Sequence, residues 1–128
     1  CAMRKSNMAT YLSQLTSAWQ NAIKQVNKLS SAGSQSTTIK TTADKLFLLS
    51  EVEIFGSTSY SVSGEGTQYA YYKAGNSKVK NVSGSANNWW ERSPSANYTT
   101  VFCTVSSNGN ANNNYANYSY GVAFGFCV

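Results

Sequence analysis

Apolar positions in the first quarter of the chain recur at a helical period. Met8, Leu12, Leu15, Trp19, Ala22, Val26 and Leu29 are spaced alternately by four and three residues, and Tyr11, Ala18 and Ile23 widen the stripe. That is the seam of an amphipathic helix. It predicts a helix over residues 6–30, ended by Gly33 and followed by a polar linker from Ser34 to Thr38. The stripe fits packing on its own domain, or docking on a second copy as a homo-oligomer through residues 8–29. The expected organisation is therefore residues 1–33 as an amphipathic helix and residues 34–128 as a separate domain.

The pattern then shortens. Leu46-Phe47-Leu48-Leu49, behind Lys45, is a continuous apolar run with the length of a buried strand. Ser50 with Glu53 three residues on is a capping-box pattern, and Gly56 stops the short helix it opens, with Val52, Ile54 and Phe55 facing inward. Glu51 and Glu53 also read as a carboxylate pair for acid–base chemistry, but the cap accounts for them more simply. Residues 57–64 are loop. Thr67 to Ala74 carries Tyr69 and Tyr72 at helical spacing and closes at Gly75; Lys78–Val82 is strand or loop, and Gly84–Asn88 is turn-like.

After the opening bracket Trp89-Trp90-Glu91-Arg92-Ser93-Pro94 two stretches carry the periodicity of strands. Val101, Cys103 and Val105 alternate with Phe102 and Thr104, and Asn108-Gly109 marks a hairpin because both residues tolerate positive φ. Val122, Phe124, Phe126 and Val128 alternate to the end of the sequence, which predicts a buried closing strand. Between these anchors, residues 95–120 are mostly Asn, Tyr, Ser and Thr. Such a tract by itself suggests disorder. Pinned between strand patterns, it reads instead as a polar surface displayed on a sheet.

Composition sharpens this reading. The net charge is +5, yet no charged residue follows Arg92. Lys73, Lys78 and Lys80 lie near Tyr69, Tyr71 and Tyr72, but they are too sparse to make a nucleic-acid stripe and read as a solvated face. There is no His and no Cys-x-x-Cys, so no metal site or cofactor is expected. Of the three cysteines, Cys103 and Cys127 fall in candidate strands, and a bridge or two free thiols are both open. No apolar run reaches the roughly 18 residues of a membrane span, so no membrane insertion is expected. Cys1-Ala2-Met3-Arg4-Lys5 is not a signal peptide, and a start at Cys1 suggests a fragment with targeting information upstream.

Four segments taken together resemble a known bacterial and phage family. They are Lys45-Leu46-Phe47-Leu48-Leu49-Ser50-Glu51, Glu53-x-Phe55-Gly56, Trp89-Trp90-x-Arg92-Ser93-Pro94 and Gly121-Val122-Ala123-x-Gly125-Phe126. The family is a domain of unknown function similar to C-type-lectin-fold proteins of the formylglycine-generating-enzyme branch. Many of its members are variable proteins of diversity-generating retroelements, in kind like the phage major tropism determinant. The resemblance covers about residues 38–128. It implies an α+β fold of C-type-lectin type, with a long N-terminal helix and a small antiparallel sheet carrying the polar surface. It also implies that errors at template adenines rewrite Asn codons to Tyr, Ser, Thr, Ala, Val or Phe, never to Lys, Glu or a stop. The tract at 95–120 has that vocabulary. Two positions depart from the family pattern: Glu91 stands where Leu is usual, and Phe124 where Pro is common.

The function expected is non-enzymatic ligand binding, of receptor or adhesin type, with a variable region over about residues 91–124. Expected variable, ligand-facing positions are Ser95, Asn97, Tyr98, Thr100, Val101, Thr104, Ser106, Asn112, Asn114, Tyr115, Asn117, Tyr118 and Tyr120. Tyr is a rigid amphipathic anchor, while Ser and Asn give adaptable hydrogen bonds. Trp89, Trp90, Arg92, Phe102, Gly121 and Phe126 are the expected scaffold, with Arg92 holding backbone carbonyls or a carboxylate. The partner is a protein or glycan on a cell surface, and the setting a phage tail or bacterial cell surface. A fixed adhesin module without diversification is the alternative. An oxidase of the kind found among the fold's relatives needs an active Cys pair and a metal, whereas here no His is available and Cys103 and Cys127 look like strand residues; calcium-dependent sugar binding lacks clustered carboxylates.

Overall fold

The computed structural model describes residues 2–128. The heptad seam does not build one helix. A π-type turn at Met3–Asn7 runs into α1 (Met8–Ser13), the chain corners, and α2 (Ser17–Ala22) starts afresh. Thr16 is extended, at φ −60° and ψ 155°, and its side chain accepts from the Trp19 N–H, which makes it an N-cap rather than a helix interior. Gln20 Nε2 donates to the Leu15 carbonyl at 2.7 Å and braces the corner.

Beyond Ile23 the seam leaves helix altogether. Val26–Ser31 form β1, paired antiparallel with β2 (Ile39–Asp44) over six residues, from Val26 opposite Asp44 to Ser31 opposite Ile39. Along β1, Lys28 turns inward while Asn27 and Leu29 face out. The long helix over 6–30 is thus corrected. Val26 and Leu29 fit a strand as readily as a heptad, and Met8 and Ile23 are buried inside the chain itself. The β1–β2 ladder also crosses the expected boundary at residue 33, so residues 1–33 are not a separate unit.

The apolar run at 46–49 contributes β3 (Phe47–Leu48), which pairs with β9 (Phe124–Gly125) near the C-terminus. Lys24 bridges Cys127 alongside. A Cβ on Gly125 would stand 2.9 Å from the Phe47 ring, so any larger residue there would have to displace that ring. The closing strand is shorter and more exposed than its alternation suggests. Phe126 is 41% exposed and Val128 67%, so Phe126 is not scaffold. Its ring meets Trp19 edge-on at 5.5 Å, while Phe124 stacks on Tyr11 at 6.0 Å.

Helix α3 (Glu51–Phe55) opens with the full capping box between Ser50 and Glu53 and closes at Gly56 with φ 76°. Helix α4 (Ala70–Lys73) follows. Strands β4 (Lys80–Val82) and β5 (Ser85–Asn87) form a hairpin, whose turn residues Ser83 and Gly84 both have positive φ, the geometry that matches strand twist.

The chain ends in a three-stranded antiparallel sheet of β6 (Trp89–Pro94), β7 (Val101–Val105) and β8 (Ala111–Tyr115), in that order. Period-2 alternation puts Trp89 and Trp90 on opposite faces of β6. Trp90 packs with Met8, Ile23, Leu46 and Leu48; Trp89 packs with Ile54, Tyr72 and Val105. One dipeptide thus fastens the sheet to both apolar clusters. The whole is a mixed α/β domain with few, short helices and several small antiparallel sheets.

Candidate ligand-binding surface

The sheet rests on buried charges brought together from distant positions. Strand β6 departs from β7 between Trp90 and Pro94, and the Arg92 N–H pairs with the Leu49 carbonyl at 2.9 Å instead. This irregularity points Arg92 away from the ladder. Its guanidinium donates to the carbonyls of Leu29 (3.0 Å), Leu48 (2.9 Å) and Glu65 (2.8 Å), and forms a short ion pair with Glu53. Glu53 also receives Lys28. The Lys28 ammonium lies 4.2 Å from the Phe47 ring centroid and donates to Tyr69 Oη at 2.9 Å. Burial alone would raise the Glu53 carboxyl, but Arg92, Lys28 and the Ser50 N–H outweigh it and hold it below its ordinary value.

Glu51 is consumed differently. Its carboxylate accepts from the Tyr60 and Ser61 N–H groups and from Ser61 Oγ, at 2.7–3.1 Å, and so folds the 57–64 loop onto α3. Glu65 accepts from the Ser31 N–H at 2.6 Å and from Ser93 Oγ, while burial raises its pKa. Glu51 and Glu53 are buried and engaged with separate partners, so they are not arranged as a catalytic pair.

Glu91 stands apart. It is 2% exposed, and neither carboxyl oxygen has a hydrogen-bond partner among the described residues. Burial, with the charges of Glu51 and Glu65, pushes its pKa well above the carboxylate range. Cys103, fully buried nearby, is pushed up by burial and the same acids, so its thiol is inert. Cys103 and Cys127 are both free, the second exposed. Among the described residues no group of His, Cys, Asp and Glu is placed to hold a metal ion. Among the described residues no helix is long and apolar enough to cross a membrane.

The polar tract lies on β7, β8 and the loops at either end of them. Tyr98, Tyr115 and Tyr118 are 59%, 57% and 51% exposed, and Asn97, Thr100 and Asn117 are exposed beside them. Asn112, Asn114 and Tyr120 are half-buried. Two expected ligand-facing positions are corrected: Ser95 and Thr104 are buried, with 1% and 0% exposed. Ser95 donates its N–H to the Val101 carbonyl and accepts from the Asn97 N–H, closing the loop base. Thr104 lies in the middle strand between Trp90 and Asn112, and Val101, 6% exposed, is buried except where it lines a cleft with Tyr98 and Tyr115. Ser106 is a turn former, accepting from the Asn110 N–H at 3.1 Å.

A cleft of ≈ 230 Å³ opens among Tyr98, Val101, Asn113, Asn114 and Tyr115. Asn113 was not expected there. The hairpin register pairs it with Cys103 and Val101 with Tyr115, which puts 113 and 115 on the face that looks to the cleft. The Asn108-Gly109 turn, at φ 87° for Gly109, was the signal for that register. The 95–100 loop is held from outside, with Gln35 Nε2 donating to the Asn97 carbonyl at 2.8 Å and the Ala96 N–H to the Tyr60 carbonyl at 2.7 Å. On the far side the rings run inward: Tyr115 to Tyr118 at 6.4 Å, Tyr118 to Tyr120 at 5.7 Å, Tyr120 to Trp90 at 5.1 Å.

A mixed α/β domain bearing an uncharged, tyrosine-rich cleft on a sheet edge is what fold and surface together define. The chain belongs to the family described as a domain of unknown function (DUF6273), whose profile matches residues 1–128. No curated protein and no solved structure matches it.

Proposed function

We propose that the domain is a non-enzymatic ligand-binding module on a C-type-lectin-like fold, with its Asn/Tyr/Ser/Thr surface diversified by retroelement-directed adenine mutagenesis. The observation that carries this reading is the separation of roles within one short tract. Tyr98, Tyr115 and Tyr118 project into solvent, while the residues that hold the sheet, Trp89, Trp90 and Arg92, precede the tract. Side chains that are mostly in solvent can change with little effect on the buried core, which is what a rewritable surface requires. The pairing of β3 with β9 supports a lectin-type closure of the chain. A phage tail or bacterial cell surface is the setting this reading implies, and a surface protein or glycan the target.

One observation favours the second reading, a fixed adhesin module without diversification. Ser95, Val101 and Thr104 are buried, so a process that rewrote them to Tyr would damage the fold. Sequencing the coding DNA for residues 90–128 across a natural population decides between the two. Differences confined to adenine-rich codons at exposed positions, sparing Trp89, Trp90 and Gly121, support diversification. An invariant region overturns it and leaves the fixed module.

A further inference from the structure

We propose that the cleft between Tyr98 and Tyr115 is a metal-independent subsite for one ring of a neutral oligosaccharide. This rests on the ligand-binding reading above and names the ligand class.

Size sets the first bound. At ≈ 230 Å³ the cleft falls below the roughly 300–1,000 Å³ of sites that enclose a drug-sized molecule. It takes a single ring or side chain, whereas a protein partner needs about 800 Å² of contact on each side. The walls set the second. Tyr98 and Tyr115 are exposed and offer an apolar ring face with a hydroxyl at its edge. A pyranose has the matching halves, a C–H face that lies on an aromatic ring and a rim of hydroxyls. Asn113, on the same face of β8 as Tyr115, adds a side-chain amide with two donors and one acceptor, suited to a hydroxyl that both donates and accepts, while the Asn114 amide lies on the opposite face, against Thr104.

Charge sets the third bound. Every residue lining the cleft is uncharged, and no charged residue follows Arg92 in the sequence. A phosphate, a sialic acid or an acidic peptide would lose hydration there and gain no ion pair. The same composition supplies no carboxylate for a calcium ion, so recognition falls to rings and amides alone. The site is also preformed. The Asn97 carbonyl is fixed by Gln35, and the Ala116 N–H donates to the Thr100 carbonyl at 3.1 Å, tying the two rims together. Tyrosine has few torsions to freeze, so little ordering opposes binding. Beyond Tyr115 the exposed ring of Tyr118, tilted 56° to it, offers a further aromatic face. A linked second or third sugar therefore has a surface to lie on.

The test is an NMR titration of the whole ¹⁵N-labelled chain in EDTA. The probes are neutral methyl glycosides of glucose, galactose, mannose and N-acetylglucosamine, their β1,4-linked trimers where these exist, and N-acetylneuraminic acid as the charged control. At least one neutral probe is expected to give saturable shifts centred on Tyr98, Val101 and Asn113–Tyr115, with its trimer binding more tightly. Tyr98→Ala and Tyr115→Ala should each weaken binding about tenfold or more, the size of one lost anchoring contact. Tyr115→Phe, which keeps the ring, should stay within a few-fold of the parent. Melting curves check that the variants fold. Absence of saturable shifts with every neutral probe overturns the proposal. So do shifts confined to another face, a dependence on added calcium, or preference for the charged sugar. Population sequencing is independent of all these outcomes. Codons that vary while no sugar binds would leave the diversified surface standing and remove the saccharide. Sugar binding with invariant codons would keep the subsite on a fixed module.

Discussion

Glu91 is the residue whose chemistry fits its surroundings least. A carboxyl buried without a partner costs the hydration it gave up, about 1–3 kcal/mol when neutral. The folded chain holds its proton above the ordinary value of 4.5, whereas the unfolded chain releases it near that value. The folded state therefore binds more protons between the two, and stability falls as pH rises from about 4.5 toward the raised value. The family resemblance puts Leu at this position, and the apolar side chain suits a site beside Cys103 better than an acid does. Glu91→Leu is expected to stabilise the domain by about 1–3 kcal/mol at pH 7, with the gain growing from pH 4 to 7. Urea unfolding at several pH values measures both. A variant less stable than the parent at pH 7 would mean that Glu91 has a partner in solution. From sequence the position was marked only as a departure from the family pattern, because an unpartnered carboxyl shows itself through its burial.

At the scale of elements, the sequence was legible where the signal was local. The Ser50–Glu53 capping box with Gly56, the Asn108-Gly109 hairpin and the alternation of Val101, Cys103 and Val105 each depend on residues within a few positions of one another. The N-terminal third was misread because its deciding contacts are distant. Lys28 lies 25 residues from Glu53, and Val26–Ser31 takes its backbone bonds from Ile39–Asp44. A seven-residue repeat cannot register either partner. Arg92 is where these elements meet, since it reaches the Leu29, Leu48 and Glu65 carbonyls and the Glu53 carboxylate. Arg92→Ala is expected to cost about 3–5 kcal/mol, because it leaves Glu53 buried with half its compensation. Acid should act through the same joint. Glu53 has its pKa lowered in the folded chain, so its contribution is complete above the ordinary value of 4.5 and is lost as pH falls through the lowered one. Thermal unfolding between pH 2 and 6 should show a loss on acidification in the parent that is blunted in Arg92→Ala.

Across the whole molecule, charge and display are divided by the chain itself. All charged side chains occur by Arg92, and those that are buried brace the sheet from beneath, while the uncharged remainder supplies its middle strand, its edge and its loops. The tract's uncharged, tyrosine-rich character was legible as composition, but its geometry was not, because one run of polar residues covers both faces of β7 and β8. Thr104 and Tyr115 belong to the same vocabulary, yet one is fully buried opposite Trp90 and Asn112 and the other is 57% exposed. This division predicts two separable outcomes. The combined change Tyr98→Ala, Tyr115→Ala and Tyr118→Ala should leave unfolding free energy within about 0.5 kcal/mol per site, as exposed positions do, while removing ligand binding. Thr104→Tyr, a change of the kind the tract displays elsewhere, should destabilise by about 1–3 kcal/mol or more, since the added ring has no room in a packed strand. Denaturant midpoints for the two variants, read beside binding to a common ligand, measure both. If Thr104→Tyr were as stable as the parent, β7 would be open on the Thr104 face and the surface available for diversification would extend through the sheet. If the triple variant unfolded early, the tyrosines would be part of the frame and the display would be confined to the asparagines.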